Sequence, residues 1–106
     1  MLWPVLHDLV ADKVLAHFGG RLRLAVSGGA PLSVTLSRCF VGLGLPLLQG
    51  YGLTEAAPVV TTNRLQDNLP ESVGIPLPGV EVRLGEKNEL LVRGPNVMMG
   101  YWNRPE

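Results

Sequence analysis

Apolar residues recur every fourth position between Val5 and Phe18, at Leu6, Val10, Val14 and Phe18, with Leu9 and Leu15 beside them. That spacing predicts a helix with one apolar face, stopped by Gly19 and Gly20. From Leu22 to Val26 the period changes to two: Leu22, Leu24 and Val26 alternate with Arg23 and Ala25, the pattern of a strand, and run directly into the turn Ser27-Gly28-Gly29. Helical spacing returns from Pro31 to Leu43, with Ser33 as N-cap and Leu32, Leu36, Phe40 and Leu43 on the side expected to be buried. After Gly44, Leu45-Pro46-Leu47-Leu48-Gln49 is a short apolar run of the kind a strand covered on both faces shows, and the loop Gly50 to Glu55 follows.

Strand, helix, strand in this order is a βαβ unit, and such crossovers are right-handed in roughly 98% of cases, which makes the two strands parallel. Parallel strands end on one edge of the sheet, where open α/β sheets bind ligands. Ser27-Gly28-Gly29-Ala30 and Gly50-Tyr51-Gly52-Leu53-Thr54-Glu55 are therefore expected to face each other across one crevice. Beyond it, Thr61 to Ser72 is polar and without period, and Gly74, Pro76, Pro78 and Gly79 form a rigid connection that bars helix. Val80 to Leu84 and Glu89 to Arg93 alternate around Gly85-Glu86-Lys87-Asn88 and predict an antiparallel hairpin, which must pack on something because a two-stranded ribbon alone is marginal in water. Met98, Met99 and Trp102 in the C-terminal stretch are expected as packing residues.

Composition narrows the function classes. The 106 residues suit one domain, and 46% hydrophobic content argues against intrinsic disorder. Nine basic and nine acidic side chains cancel without any run of like charge, which disfavours nucleic acid and anionic membrane as partners. The single Cys39 forms no internal disulfide, and His7 and His17 make no recognisable metal site, so a reducing, cytoplasmic compartment is expected. Phe40 to Leu48, the longest apolar stretch, is far short of the roughly 20 residues of a membrane-spanning helix, and no signal sequence is apparent.

The two glycine turns carry the candidate chemistry. Gly28 and Gly29 after a strand allow close backbone approach of a flat or anionic ligand near a helix N-terminus; a tight turn that merely needs glycine is the other reading. In the second loop, Tyr51 offers a ring on which a base can stack, and Gly50 and Gly52 keep the backbone low around it. Thr54 supplies a hydroxyl for a phosphate oxygen, and Glu55 a hard anionic oxygen suited to Mg²⁺. A core tyrosine and a solvated surface glutamate are the alternative. No G-x-x-x-x-G-K-[ST] loop is present, and neither Gly42-x-Gly44 nor Gly50-x-Gly52 completes a dinucleotide fingerprint. Ala25-Val26-Ser27-Gly28-Gly29 approximates a hydrolase nucleophile elbow, but both histidines precede Ser27 where that fold needs one after it. His7 and His17 are expected to face solvent, and Cys39 to sit in the core.

Taken in order, LRLAVSGGAPL (22–32), QGYGLTE (49–55), SVGIPLPGVEVRL (72–84) and ELLVRGPNVMMGYWNRPE (89–106) resemble the central part of an AMP-forming, long-chain-type acyl-CoA synthetase, a fatty acid–CoA ligase of the adenylate-forming superfamily. Such enzymes activate a fatty acid with MgATP to acyl-AMP and pyrophosphate and then transfer the acyl group to CoA. The resemblance implies that Gly29, Ala30 and Pro31 line the adenine and acyl side of the crevice and that Gln49 and Gly50 lie beside the acyl-adenylate. It further implies that Tyr51 stacks on adenine, Gly52 and Leu53 form the wall, Thr54 contacts phosphate and Glu55 holds Mg²⁺, with Thr54 and Glu55 as the catalytic pair.

The resemblance also implies an α/β fold class: a βαβ piece of a sheet layer followed by an antiparallel hairpin of a distorted β-barrel, both from the family's large N-terminal domain. Residues 1–60 are expected in the sheet layer, 61–72 as a loop and 73–106 in the barrel. The family's upstream phosphate loop, ribose-binding Asp, hinge and mobile C-terminal domain with its catalytic lysine have no counterpart here. The chain is accordingly expected to be an excised or truncated piece, inactive alone, with the rest of the parent chain or self-association through open sheet edges as its contacts. The parent is expected in the cytoplasm or peripherally at the inner membrane. The alternative is a non-catalytic remnant that binds nucleotide weakly or contacts another protein.

Overall fold

In the computed structural model, which describes residues 3–105, the elements run α1 (Trp3–Ala16), β1 (Ala25–Ser27), α2 (Val34–Gly42), β2 (Leu47–Gly52), β3 (Val59–Thr62), β4 (Ile75–Pro76), β5 (Glu81–Leu84) and β6 (Leu90–Arg93). β1 to β4 form one sheet in chain order, and β5 and β6 a second. β1 and β2 are parallel, Ala25 opposite Leu47 and Ser27 opposite Gln49, as a βαβ crossover requires. α2 begins where Ser33 provides a cap, its Oγ accepting from the Leu36 N–H at 3.5 Å.

Several boundaries differ from the sequence expectation. β1 is confined to Ala25–Ser27 although the alternation starts at Leu22, because β2 begins only at Leu47 and a strand extends no further than its partner. At the other end, Gly50, Tyr51 and Gly52, expected as loop, continue β2. They are held there by β3, which returns antiparallel with Gly50 opposite Thr62 and Tyr51 opposite Thr61. The polar stretch expected to loop from residue 61 thus opens inside a strand. Its signal was the β-branched run Val59-Val60-Thr61-Thr62. β4 contains Pro76, which the sheet tolerates because β4 is its edge strand.

The helices bury less than their periodicity predicts. Val10 is 50% exposed and Leu9 and Phe18 are exposed too; among the described side chains of α1 only Ala11 is fully buried, those of Trp3 and Leu6 lying outside them. Val14 and Leu15 are half-buried, so the apolar stripe is covered only in part. On α2, Leu36 is exposed and Ser37 is turned inward, completely buried. Cys39, expected in the core, is exposed, and His7, expected in solvent, is half-buried. An edge-to-face contact between Phe18 and Phe40, centroids 5.9 Å apart, joins the end of α1 to α2.

The hairpin forms with the expected pairing, Glu81 opposite Arg93 through Leu84 opposite Leu90, and Arg93 Nη2 donates to both carboxylate oxygens of Glu81 at 2.7 Å. Its apolar face packs where the two sheets meet: Ala56, Val60 and Val80 are buried together, with Leu77, Val82 and Val92 against them. The radius of gyration is 17.8 Å. A compact chain of about 100 residues has about 13 Å, so apolar faces of α1 and β1 remain uncovered in this elongated shape.

Candidate functional site

β2 changes neighbour partway along. Leu47 to Gln49 pair with β1, and Gly50 to Gly52 pair with β3 on the other side. β1 has already ended at Ser27, so among the described residues no strand flanks Gly50-Tyr51-Gly52 on that side, and the sheet forks. The Ser27 to Ala30 turn stands in the mouth of the fork. Gly28 is so close that a Cβ on it would lie 3.6 Å from the Gly50 carbonyl oxygen, and Gly29 adopts φ +82°, a conformation glycine alone takes without strain.

Two adjoining cavities, of about 380 and 480 Å³, share Gly29, Gly50, Tyr51 and Gly52 as common wall. Both fall within the size range of small-molecule sites. The first is completed by Ala30, Pro31, Gln49 and the segment Pro70 to Val73; the second by Ser27, Leu53, Thr54 and Pro58. The structure therefore brings together all the sequence-derived candidates except Glu55, which lines neither cavity. Tyr51 is partly exposed, with its ring neither buried in the core nor fully in solvent.

Gln49 has a different task from the one its position suggests. Its side chain is buried, accepting from the Leu32 N–H at 3.2 Å and donating to the Pro70 carbonyl at 2.8 Å. It ties the residues after the glycine turn to the far wall of the first cavity, with the oxygen and the nitrogen of its amide each engaged in doing so. The far wall itself is organised by Asn63, only 4% exposed. Asn63 donates to the carbonyls of Leu69 and Ser72 at 3.3 and 2.6 Å and accepts from the Leu69 N–H at 3.1 Å. Asn68 donates to the Leu47 carbonyl, Thr61 to that of Val73, and Arg38 on α2 forms an ion pair with Glu71. The polar side chains that made this stretch read as loop are what fold it. Asn63→Ala removes three of these bonds and orphans buried backbone groups, a loss expected at about 3 kcal/mol. Urea unfolding will measure it, and faster amide exchange confined to 63–73 will locate it.

Thr54 and Glu55 open a single 3₁₀ turn, Thr54–Ala56, after the end of β2. The C-terminal segment grips this turn. The Met98 N–H donates to the Glu55 carbonyl at 2.8 Å, and Asn96 Nδ2 donates to the carbonyls of Ala56 and Val59 at 3.0 and 2.9 Å. The Tyr101 hydroxyl donates to Glu55 Oε1. That hydroxyl, with the residue's own backbone amide, holds the Glu55 carboxyl below its ordinary range, and the same contact raises the Tyr101 phenol. Asn96 and Tyr101 have no advance signal in the sequence, since their partners lie 37 to 46 residues away.

Among the described residues no three His, Cys, Asp or Glu side chains converge, so Glu55 offers one carboxylate and no complete metal cage. That donor set fits Mg²⁺ at a nucleotide, which draws its remaining ligands from phosphate oxygens and water.

A parallel βαβ unit whose strand ends border a double cavity, with an antiparallel hairpin packed beside it, defines an α/β ligand-binding domain of the open-sheet kind. The chain belongs to the AMP-binding enzyme family, whose pattern it matches over residues 2–102. It is 42% identical over 102 residues to the long-chain-fatty-acid–CoA ligase FadD15 of Mycobacterium bovis, covering 96% of this chain and 17% of that protein. Against the long-chain-fatty-acid–CoA ligase of Yersinia pestis it is 43% identical over 97 residues, 80% of this chain and 17% of the relative. Among solved structures it is similar to the anthranilate CoA ligase AuaEII in complex with anthranoyl-AMP, with TM-score 0.71 and 27% identity over 76% of this chain and 18% of that one. Apo MatB from Rhodopseudomonas palustris superposes with TM-score 0.68 and 37% identity, over 85% and 20% of the respective chains. The chain thus spans about a sixth of the curated relatives it matches, and the expected fold class is borne out.

Proposed function

We propose that this chain supplies the acyl-adenylate side of the active cleft of an AMP-forming fatty acid–CoA ligase. The reaction activates a fatty acid carboxylate with ATP to acyl-AMP, releasing pyrophosphate, and passes the acyl group to CoA. The observation that supports it is the fork in the sheet, where the glycine turn and the Tyr51 strand border one double cavity inside a family matched over nearly the whole chain.

In this reading Gly29, Ala30 and Pro31 bound the adenine and acyl side, and Tyr51 stacks on adenine. Gln49 shapes the acyl-adenylate pocket through the two backbone segments it joins, with Gly50 beside the ligand. Gly52 and Leu53 form the wall, Thr54 donates to phosphate and Glu55 binds Mg²⁺. The metal, when bound with the triphosphate, supplies positive charge against the charge that builds on the α-phosphate as the carboxylate attacks. Residues 1–60 and 73–106, joined by 61–72, belong in this reading to a sheet layer and a β-barrel of one AMP-binding domain. No helix among the described residues is long and apolar enough to cross a membrane, and we place the protein in the cytoplasm.

Both lysines lie away from the cleft, Lys13 on α1 and Lys87 in the hairpin turn, and no glycine-rich phosphate loop is present in the sequence. The 106-residue chain by itself is therefore expected to give no ATP–pyrophosphate exchange with any of a panel of fatty acids; measurable turnover would overturn that expectation. A second reading, a non-catalytic module that self-associates, draws on the open β1 edge, where Val26 is 65% exposed. Titration with AMP, following Tyr and Trp fluorescence alongside light scattering, separates the two: saturable binding by a monomer supports the cleft, and self-association without binding supports the module.

A further inference from the structure

Glu55 is held from a distance. The segment that reaches it is pinned at two earlier points, through Asn96 to the Ala56 and Val59 carbonyls and through the Met98 N–H to the Glu55 carbonyl. It then closes a tight turn in which the Arg104 N–H donates to the Tyr101 carbonyl at 3.1 Å, so the Tyr101 backbone is fixed on both sides. The phenol meets Glu55 Oε1, the one side-chain hydrogen bond this carboxylate makes among the described residues.

We propose that Tyr101 is a positioning residue for Glu55, its O–H fixing the carboxylate through Oε1 so that it is already oriented when it meets a divalent cation–nucleotide complex. The proposal rests on the reading of Glu55 as the metal-binding carboxylate. A free glutamate loses rotamer freedom on binding a metal, and a partner that has already ordered the carboxylate removes part of that loss. Partners that orient a metal ligand in this way typically contribute about 10-fold or more in affinity. Tyr101 is 55% exposed, so its ring contributes little packing, and substitutions there are expected to leave the fold intact.

The test uses the 106-residue chain with Mn²⁺ and ATP as probe, read by electron paramagnetic resonance of free Mn²⁺ and by water-proton relaxation, with amide NMR spectra as the check on folding. Tyr101→Phe keeps the ring and removes the donor; Tyr101→Gln removes the ring and keeps a donor. We expect Phe to weaken binding about 10-fold and Gln to fall between Phe and the unaltered chain. Glu55→Gln should abolish binding. If Tyr101→Phe binds as the unaltered chain does, or Tyr101→Gln binds no better than Tyr101→Phe, the positioning role is wrong while Glu55 keeps its place. If Glu55→Gln binds normally, or the unaltered chain does not bind Mn²⁺ with ATP at all, the metal reading of Glu55 is wrong and the role of Tyr101 falls with it.

Discussion

Gly52→Ala will destabilise this chain by about 3 kcal/mol or more, a large fraction of the 5–15 kcal/mol typical of a folded domain. A Cβ on Gly52 would lie 1.8 Å from the Pro58 carbonyl oxygen, 2.8 Å from its carbon and 3.0 Å from Val59 Cα. All three are main-chain atoms, and they cannot rotate away as a side chain would. The same Pro58 carbonyl accepts the Leu53 N–H at 2.8 Å, and the strand pair is already irregular between Tyr51 and Gly52. Relief requires pushing β3 off β2, which opens both the cleft wall and the core around Val60. Urea unfolding and amide dispersion will register the change. A loss below about 0.5 kcal/mol would show instead that the 54–58 turn yields at little cost.

The largest effect on activity is expected at Glu55. In a chimera where residues 25–105 replace the matching segment of the Yersinia pestis long-chain-fatty-acid–CoA ligase, Glu55→Ala should lower ATP–pyrophosphate exchange at least about 100-fold. Among the described residues no cluster of three or more His, Cys, Asp or Glu side chains exists that could hold the metal in its place. Excess Mg²⁺ should restore part of the rate if the defect is weakened metal binding. Full exchange by the Glu55→Ala chimera would remove the residue from the site.

The parallel strand pair, the Ser33 cap and the hairpin register were legible because each rests on neighbours close in sequence. Period, capping distance and turn length state them outright. What escaped was set by partners far away. Gly50 to Gly52 looks like loop until β3 arrives to pair with it, and α1 looks amphipathic although Val10 and Leu9 stay exposed. The double-glycine turn and the Tyr51 loop were placed on one cleft by topology alone. Their far wall was not, since Asn63, Gln49 and Pro70 act through side-chain-to-backbone bonds that no periodicity announces. Gln49 shows the limit most clearly. Its position beside the cleft was readable, but not that its amide is spent on Leu32 and Pro70.

The fork where β1 stops and β2 runs on leaves peptide groups, not side chains, along one border of the cleft. Peptide groups are the same whatever residue carries them, so mutation around this border can redraw the outline of the ligand without erasing the row of donors and acceptors beneath it. Along this border, drift in ligand preference is thereby separated from loss of the backbone contacts: the first belongs to replaceable positions such as Val26, Pro58 and Val73, the second to the backbone path itself.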